Sequence, residues 1–244
     1  MQALILAAGK GERMRPLTLI KPKPLLEVCG TTLIEHHIIN LKKAGIDNIV
    51  INVSWLAQQI MKKLGSGNQY GVKIRYSFEG DEPLETGGGI HKALSLLGDE
   101  PFLVVNGDIK TDIDFTSIKA APDKLAHLVL VDNPPHNPNG DFHLHEMKLL
   151  SNIKSSGNKT YSGIGIYNPK LFEACQPGKF SVVPLLKQAM KKNLVSGQFY
   201  NGQWDDIGTI ERLTNINSNC KKNVINHPRI STTSSNLNKS PYNR

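Results

Sequence analysis

The 244 residues are 39% hydrophobic, which is enough for one substantial core, but no run of about 18 apolar residues could span a membrane, so we expect a cytoplasmic protein with no membrane partner. The formal net charge is +8, yet residues 220–244 hold five basic residues and no acid, and without those five the charge is +3. This small excess favours small anionic ligands and argues against a nucleic-acid partner, because no basic stripe with interspersed aromatic residues is present to stack bases.

An apolar run over residues 3–8 leads directly into a glycine-rich, basic segment. Uninterrupted apolar residues predict a strand buried on both faces, as in parallel α/β sheets, whose ligands bind beyond the carboxyl ends of the strands. Gly9 and Gly11 let backbone N–H groups face a phosphate oxygen, while Arg13 and Arg15 supply positive charge. The segment predicts a triphosphate-binding loop; the alternative is a glycine-rich turn with solvated arginines.

Two better-known phosphate loops do not fit this segment. The dinucleotide fingerprint G-x-G-x-x-G would require glycine at the position of Met14. The Walker A pattern G-x-x-x-x-G-K-[ST] would require a Gly-Lys pair separated from Gly9 by four residues, and none is present. The sequence therefore argues against a hydride-transfer enzyme and against a P-loop kinase.

Helical and strand patterns alternate along the next part of the chain. Helices are predicted over residues 33–41, from Ser54 to residue 64 and over residues 90–97, with strands over 48–53, 73–78 and 102–105. This order predicts an α/β fold with a doubly wound, mostly parallel central sheet. Beyond residue 126 the predicted strands are 127–132, 142–145, 147–153 and 161–167, with helices over 171–175 and 182–192, which predicts a smaller mixed-sheet half.

A second motif, Lys-Pro-Lys-Pro-Leu-Leu, follows the glycine-rich loop at residues 21–26. Its prolines restrict the backbone and favour extended conformations at Lys21 and Lys23, so that a lysine can be aimed from a rigid strip. Together with the pattern G-x-G-x-R-M-R-P-L-T, this motif resembles the sugar-nucleotidyltransferase family, whose members join a nucleoside triphosphate to a sugar 1-phosphate. The resemblance continues in order through residues 85–89, 105–108 and 204–209.

Four further segments resemble the branch of that family that acts on N-acetylmuramate 1-phosphate: residues 84–89, 127–134, 140–142 and 161–163. The resemblance implies a Mg²⁺-dependent transfer of a uridylyl group from UTP to that sugar phosphate, with release of pyrophosphate. Two alternatives stay open, namely a GTP- or dTTP-dependent hexose- or heptose-1-phosphate nucleotidyltransferase and a non-catalytic sugar-nucleotide sensor. The oligomeric state is not indicated by the sequence.

Such a transfer brings two anions together, so it needs cations and hard oxygen ligands for Mg²⁺ more than covalent help from the protein. Asp108 follows a buried strand, and Asp206 precedes Gly208 by two residues. The resemblance implies that these two aspartates are the metal ligands. Asp205 and Asp112 are nearby alternatives, and Asp112 is assigned a structural role.

The resemblance also implies which residues contact the substrates. Arg13, Lys23 and Asp108 are predicted to be catalytic, with Lys23 on the α-phosphate and Arg13 on the departing pyrophosphate. The predicted nucleotide contacts are Ala7, Ala8, Gly9, Gly11, Glu12, Arg13, Lys23, Glu85, Thr86 and Gly87. The predicted sugar-phosphate contacts are Asn106, Gly140, Asp141, Ser162 and Gly163. Many glucose-1-phosphate enzymes have Glu-Lys-Pro before the strand that corresponds to residues 161–167. This chain has Asn158-Lys159-Thr160 there, so a bulkier or differently decorated sugar is favoured.

The same reasoning predicts the domain organisation. We expect one domain over residues 1–218, with a nucleotide half of about 1–126 and a sugar half of about 127–218, followed by a polar, basic and disordered tail over 219–244. The three cysteines are widely spaced and form no C-x-x-C pair, so they are predicted to be reduced thiols; they are Cys29, Cys175 and Cys220.

Overall fold

The computed structural model describes residues 1–145, 150–153 and 155–226, with the backbone alone for 221–226. Within this part of the chain the helices are α1 (Leu17–Ile20), α2 (Leu33–Lys43), α3 (Ala57–Leu64), α4 (Glu85–Leu97), α5 (Val183–Lys191) and α6 (Ile210–Asn226). The strands are β1 (Ala3–Leu6), β2 (Glu27–Val28), β3 (Thr31–Thr32), β4 (Asn48–Val53), β5 (Lys73–Phe78), β6 (Phe102–Asn106), β7 (Ile109–Thr111), β8 (Ala126–Val131), β9 (His143–Leu144), β10 (Leu150–Ser151), β11 (Thr160–Tyr167), β12 (Val195–Phe199) and β13 (Trp204–Asp206).

In the described residues, seven of these strands form the central sheet, in the spatial order β12, β8, β11, β6, β1, β4 and β5. Strand β11 runs antiparallel to β6 and β8, whereas all other neighbours in this sheet are parallel. Strand β13 pairs separately with β7. The predicted doubly wound, mostly parallel α/β fold is therefore confirmed, with smaller antiparallel ladders beside the main sheet.

Strand β1 is buried on both faces of the sheet, which explains its uninterrupted apolar sequence. Ile5 packs in the core layer that holds Ile38 of α2 and Ile60 of α3. Leu4 points to the opposite layer, which holds Ile90 of α4 and Leu186 of α5. Because both faces are covered, a ligand can approach the sheet only where its parallel strands end.

Helix α4 begins at Glu85, whereas the sequence pattern placed its start at Ile90. The glycines before Ile90 lie inside the helix and are buried. A side-chain carbon on Gly87 would approach the Phe180 ring to 2.5 Å, and one on Gly88 would overlap the carbonyl of Gly178. These glycines therefore permit close packing. That packing offsets the cost of a glycine inside a helix, which is about 1 kcal/mol per residue relative to alanine.

The carboxyl-terminal part of the described chain also differs from the prediction. Helix α6 continues to Asn226, into the segment that was predicted as a disordered tail, and residues 227–244 lie outside the described part. The prediction of three free thiols was wrong, because Cys29 and Cys220 form a disulfide with their Cα atoms 5.6 Å apart, while Cys175 is free. The two cysteines are separated by 191 residues, so no local spacing signalled the pair.

Three smaller differences concern the second half of the chain. The strand predicted over 147–153 falls partly on residues 146–149, outside the described part, and Leu150–Ser151 form β10. The helix predicted over 171–175 is a 3-10 turn at Pro169–Phe172. Strand β12, which the pattern did not predict, pairs in parallel with β8.

One prediction about stability arises from His37 of α2, which is 1% exposed. Burial, and next the charge of His36, lower the pKa of His37 from 6.5 to about 4. The unfolded chain therefore takes up this proton at a higher pH than the folded chain, so the stability that His37 contributes while neutral is lost as the pH falls from 6.5 towards 4. Urea denaturation across this range should show the unfolding free energy of wild type falling relative to His37→Leu by up to about 3 kcal/mol. Parallel pH profiles for the two proteins would contradict this expectation.

Candidate active site

A cleft of about 580 Å³ lies at the carboxyl ends of β1 and β6. The loop after β1, the 3-10 turn at Lys23–Leu25, the start of α4 and the loop after β6 form its walls. Its lining includes Lys10, Arg13, Lys23, Thr86, Asp108, Lys179 and Gly208. The cleft lies at the edge where parallel α/β sheets bind ligands.

The glycine-rich loop after β1 has a conformation that depends on Gly11. Gly11 has a φ of 63°, in the left-handed region that favours glycine. Its carbonyl accepts hydrogen bonds from the Thr18 hydroxyl at 2.8 Å and from the Met14 backbone N–H at 2.9 Å. A Cβ built on Gly9 would have no atom within 4 Å, so a ligand can approach the backbone there. The predicted phosphate loop is thus held at one end and open towards the cleft.

A buried amide-carboxylate pair supports this loop from behind. The backbone N–H of Ala7 donates to Oδ1 of Asn52 at 2.6 Å, and Nδ2 of Asn52 donates to Oε1 of Glu79 at 2.6 Å. The other carboxylate oxygen of Glu79 accepts from the backbone N–H of Leu84 at 2.7 Å. Burial raises the pKa of Glu79, and the bonds from Leu84 and Asn52 oppose that rise. This network connects the phosphate loop to the segment that leads into α4.

The direction of these hydrogen bonds predicts how substitutions at Asn52 and Glu79 affect nucleotide binding. Asn52→Asp removes the donor to Glu79 and brings two buried carboxylates together, so we expect KM for the nucleoside triphosphate to rise about tenfold. The double variant Asn52→Asp/Glu79→Gln restores one donor and one acceptor between the two side chains and should recover most of the loss. Steady-state kinetics of both variants measure this, and a double variant no better than the single one would contradict it.

Lys23 and Asp108 are in direct contact within the cleft. Nζ of Lys23 lies 2.6 Å from Oδ2 of Asp108, and Lys23 is only 9% exposed. Pro22 is extended, with φ −65° and ψ 143°, but Lys23 itself begins the 3-10 turn, so the predicted extended strip ends one residue earlier. Pro24 is tolerated there because a first-turn N–H needs no partner.

Asp206 comes to the same edge as Asp108 through the β7–β13 pairing. Asp206 is opposite Ile109 in this ladder, and the backbone N–H of Ile207 donates to the Asp108 carbonyl at 2.9 Å. Oδ2 of Asp206 lies 2.8 Å from Nη1 of Arg212 and 3.1 Å from Nε2 of His136. Oδ1 of Asp206 is buried and has no hydrogen-bond partner in the described part of the chain.

Gly208, which lines the cleft, lies next to this carboxylate. A Cβ at Gly208 would lie 3.0 Å from Oδ1 of Asp206 and 3.3 Å from Nη2 of Arg13. Asp206 thus lies directly behind a residue that lines the cleft, beside the guanidinium of Arg13. Asp206 and Arg13 are therefore brought together at Gly208. Asp108 is linked to this region through the hydrogen bond from Ile207 to its carbonyl, and Asp206 itself does not line the cleft.

The two alternative aspartates lie elsewhere. Asp205 is opposite Lys110 in the β7–β13 ladder, and burial raises its pKa. Asp112 accepts a short hydrogen bond from the Tyr200 hydroxyl, in line with the structural role predicted for it.

Most of the predicted nucleotide contacts line the cleft. These are Ala7, Gly9, Gly11, Glu12, Arg13, Lys23, Glu85 and Thr86. Ala8 is buried and does not line it. Gly87 packs against Phe180 instead, because only a glycine fits there.

A second cavity of about 420 Å³ adjoins the first and shares Thr86 and Asn106 with it. Gly140 and Asp141 line this cavity, as the predicted sugar-phosphate contacts require. Gly163 packs against Asn106 with a φ of 80°. Ser162 is not brought to the cavity, because its buried hydroxyl donates to the carbonyl of Val129 at 2.8 Å.

Several residues of the site carried no signal in the sequence. Asn52 contacts the predicted residue Ala7 across 45 residues, and His136 contacts Asp206 across 70. Glu79 acts through Asn52, whereas Arg212 lies only six residues after Asp206.

Two negative findings apply to residues 1–145, 150–153 and 155–226. No three or more His, Cys, Asp or Glu side chains cluster in a way that could hold a metal ion, so a metal at the cleft would depend on Asp108, Asp206 and the substrate. No helix in these ranges has both the length and the apolar character needed to cross a membrane.

The family model described as nucleotidyl transferase matches residues 2–223, nearly the whole described chain. The chain belongs to the nucleotidyl transferase family. It is an enzyme of that class, and the family's sequence motifs line the cleft described above.

Two relatives illustrate this membership, and one solved structure shows the same fold. The N-acetylmuramate alpha-1-phosphate uridylyltransferase of Neisseria meningitidis serogroup B is 51% identical over 220 residues, which is 87% of this chain and 95% of that protein. The protein of the same name from Caulobacter vibrioides is 32% identical, over 84% of this chain and 91% of its own. A solved structure of a glucose-1-phosphate thymidylyltransferase from Bacillus anthracis has a TM-score of 0.78 at 23% identity, over 91% and 95% of the two chains, and shows the shared fold.

Proposed function

We propose that the chain transfers a uridylyl group from UTP to N-acetylmuramate 1-phosphate, releasing pyrophosphate and forming UDP-N-acetylmuramate. The observation that carries this proposal is the 51% identity to the Neisseria meningitidis uridylyltransferase over 95% of that protein. The contact between Lys23 and Asp108 in the cleft supports it, since catalysis needs both a cation and a carboxylate there.

In the proposed reaction, an oxygen of the sugar phosphate attacks the α-phosphorus of UTP while pyrophosphate leaves from the opposite side. Backbone N–H groups around Gly9 and Gly11 would bind the triphosphate, and Lys23 would lie against the α-phosphate. Arg13 would accompany the departing pyrophosphate, because a guanidinium matches two phosphate oxygens at once. Lys10 and Lys179 also line the cleft, and because Lys10 is paired with Glu82 at 2.7 Å, Lys179 would supply the further cation.

The residues present fit a Mg²⁺ ion between Asp108 and Asp206. Mg²⁺ takes one or two carboxylates together with substrate phosphates and water. The buried Oδ1 of Asp206 lacks a partner among the described residues, and the Asp108 side chain is 35% exposed at the cleft. When bound, Mg²⁺ would neutralise charge on the phosphate oxygens.

A panel of triphosphates and sugar 1-phosphates, assayed for pyrophosphate release, tests the proposed function. The panel pairs UTP, GTP and dTTP with the 1-phosphates of N-acetylmuramate, N-acetylglucosamine, glucose and mannose, with Mg²⁺ present. We expect the highest kcat/KM for UTP with N-acetylmuramate 1-phosphate. Preference for GTP or dTTP with a hexose phosphate would replace the proposal by the corresponding hexose enzyme, and nucleotide binding without any turnover would favour a sensor.

A further inference from the structure

The second cavity is lined by a positively charged side chain that does not line the first cleft. Thr86 and Asn106 line both the first cleft and the second cavity. Lys187 lines the second cavity and a further groove near Asn152 and Ser155, but not the first cleft. Lys187 therefore lies on the cavity that adjoins the first cleft, and not on the first cleft itself.

Lys187 is held on the cavity wall by helix α5. The preceding residue, Leu186, is fully buried in the core, which fixes the rotation of the helix. Lys187 is half-buried, and no hydrogen bond or ion pair within residues 1–145, 150–153 and 155–220 involves it. A half-buried ammonium group with no acidic partner among these residues is available to a ligand anion.

The other titratable groups that line the cavity already have partners. Oδ2 of Asp141 accepts from the backbone N–H of Tyr161 at 2.8 Å, and Oδ1 accepts from Nδ2 of Asn137 at 3.1 Å. The Tyr161 hydroxyl is bonded to that of Tyr167 at 3.0 Å. Among the described residues that line this cavity, Lys187 is therefore the one with an unpaired charge that a ligand could bind.

We propose that Lys187 binds a carboxylate carried by the sugar, which makes this cavity selective for acidic sugar 1-phosphates. The inference rests on the proposed function, because N-acetylmuramate differs from N-acetylglucosamine by a lactyl ether on O3 that ends in a carboxylate. With the anomeric phosphate in the first cleft, that ether projects from the side of the ring away from C1. Lys187, which has no charged partner among the described residues, lines the cavity next to that cleft and does not line the cleft itself.

A double-mutant-type cycle, in which Lys187 and the carboxylate of the ligand are changed separately and together, tests whether Lys187 binds that carboxylate. The proteins are wild type, Lys187→Met, Lys187→Arg and, as a control on the exposed last turn of the same helix, Lys191→Met. The ligands are N-acetylmuramate 1-phosphate and its lactyl methyl ester, which lacks the charge and is larger by one methyl group. KM is measured for each, or the inhibition constant if the ester is not turned over.

We expect wild type and Lys191→Met to favour the acid over the ester by about tenfold, and Lys187→Met to bind the two alike. Lys187→Arg should retain part of the preference, since it keeps the charge. A preference for the acid that survives in Lys187→Met would overturn the inference while leaving the proposed function intact. Failure of wild type to turn over N-acetylmuramate 1-phosphate with UTP would instead overturn the proposed function, and with it this inference.

Discussion

Asp108→Asn should lower kcat on the order of 10³-fold while leaving the fold intact. The substitution keeps the size of the side chain but removes the charge that faces Nζ of Lys23 at 2.6 Å. It also removes one of the two carboxylates available to a divalent ion, so two interactions needed for the transfer are lost together. Pyrophosphate release under saturating substrates measures kcat, and thermal denaturation checks that the variant is folded.

Asp112→Asn is the matched control for this experiment. Asp112 lies four residues away, at the end of the same β7 segment, and bonds to Tyr200 instead of facing the cleft. We expect its kcat to stay close to that of wild type. If the two variants lost activity equally, a general loss of local structure would explain the result, and Asp108 would have no special role.

Lys23→Met should lower kcat/KM by about 10²- to 10³-fold. The loss follows because the ammonium group is the cation nearest to the position assigned to the α-phosphate, and because Asp108 loses its partner. Methionine keeps most of the apolar volume of this buried side chain, so the packing is conserved. Steady-state kinetics with each substrate varied in turn measure the effect, which should fall mainly on kcat.

The Lys-Pro-Lys-Pro motif supplies its own control. Lys21 is partly exposed, pairs at 3.3 Å with Glu27 and does not line the cleft. Lys21→Met removes the same charge from the same motif and should leave kcat/KM nearly unchanged. Equal turnover of Lys23→Met and wild type would mean that the position of Lys23 relative to the reacting phosphate is wrong.

The fold could be predicted from the sequence because it depends on local patterns, and the prediction of a phosphate loop after β1 rests on the same kind of pattern. The apolar run of β1 must be buried on both faces, and the glycines after it permit a conformation that other residues avoid. The convergence of Asp108 and Asp206 is different in kind. It depends on the β7–β13 ladder, whose short strands have no periodicity long enough to predict, so the sequence could suggest it only through family resemblance.

Other features were not predictable for physical reasons. Asn52 and Glu79 support the phosphate loop through side-chain bonds between different strands, and a single polar residue at a strand end is compatible with many partners. The bond between Cys29 and Cys220 also depends on the docking of α6 onto the turn between β2 and β3. Asn217 makes that docking specific, since it accepts from the Cys29 N–H at 2.8 Å and donates to the Glu27 carbonyl at 3.0 Å.

The metal site proposed at Asp108 and Asp206 is tested most directly by Mn²⁺ binding, followed by electron paramagnetic resonance in the presence of UTP. Wild type should bind a single Mn²⁺ with UTP, and Asp108→Asn and Asp206→Asn should each weaken that binding by about tenfold or more. Calorimetric titration with UTP in the absence of metal controls for loss of the nucleotide site itself. Mn²⁺ binding that is unchanged in either variant, with nucleotide binding intact, would contradict a site shared by these two carboxylates.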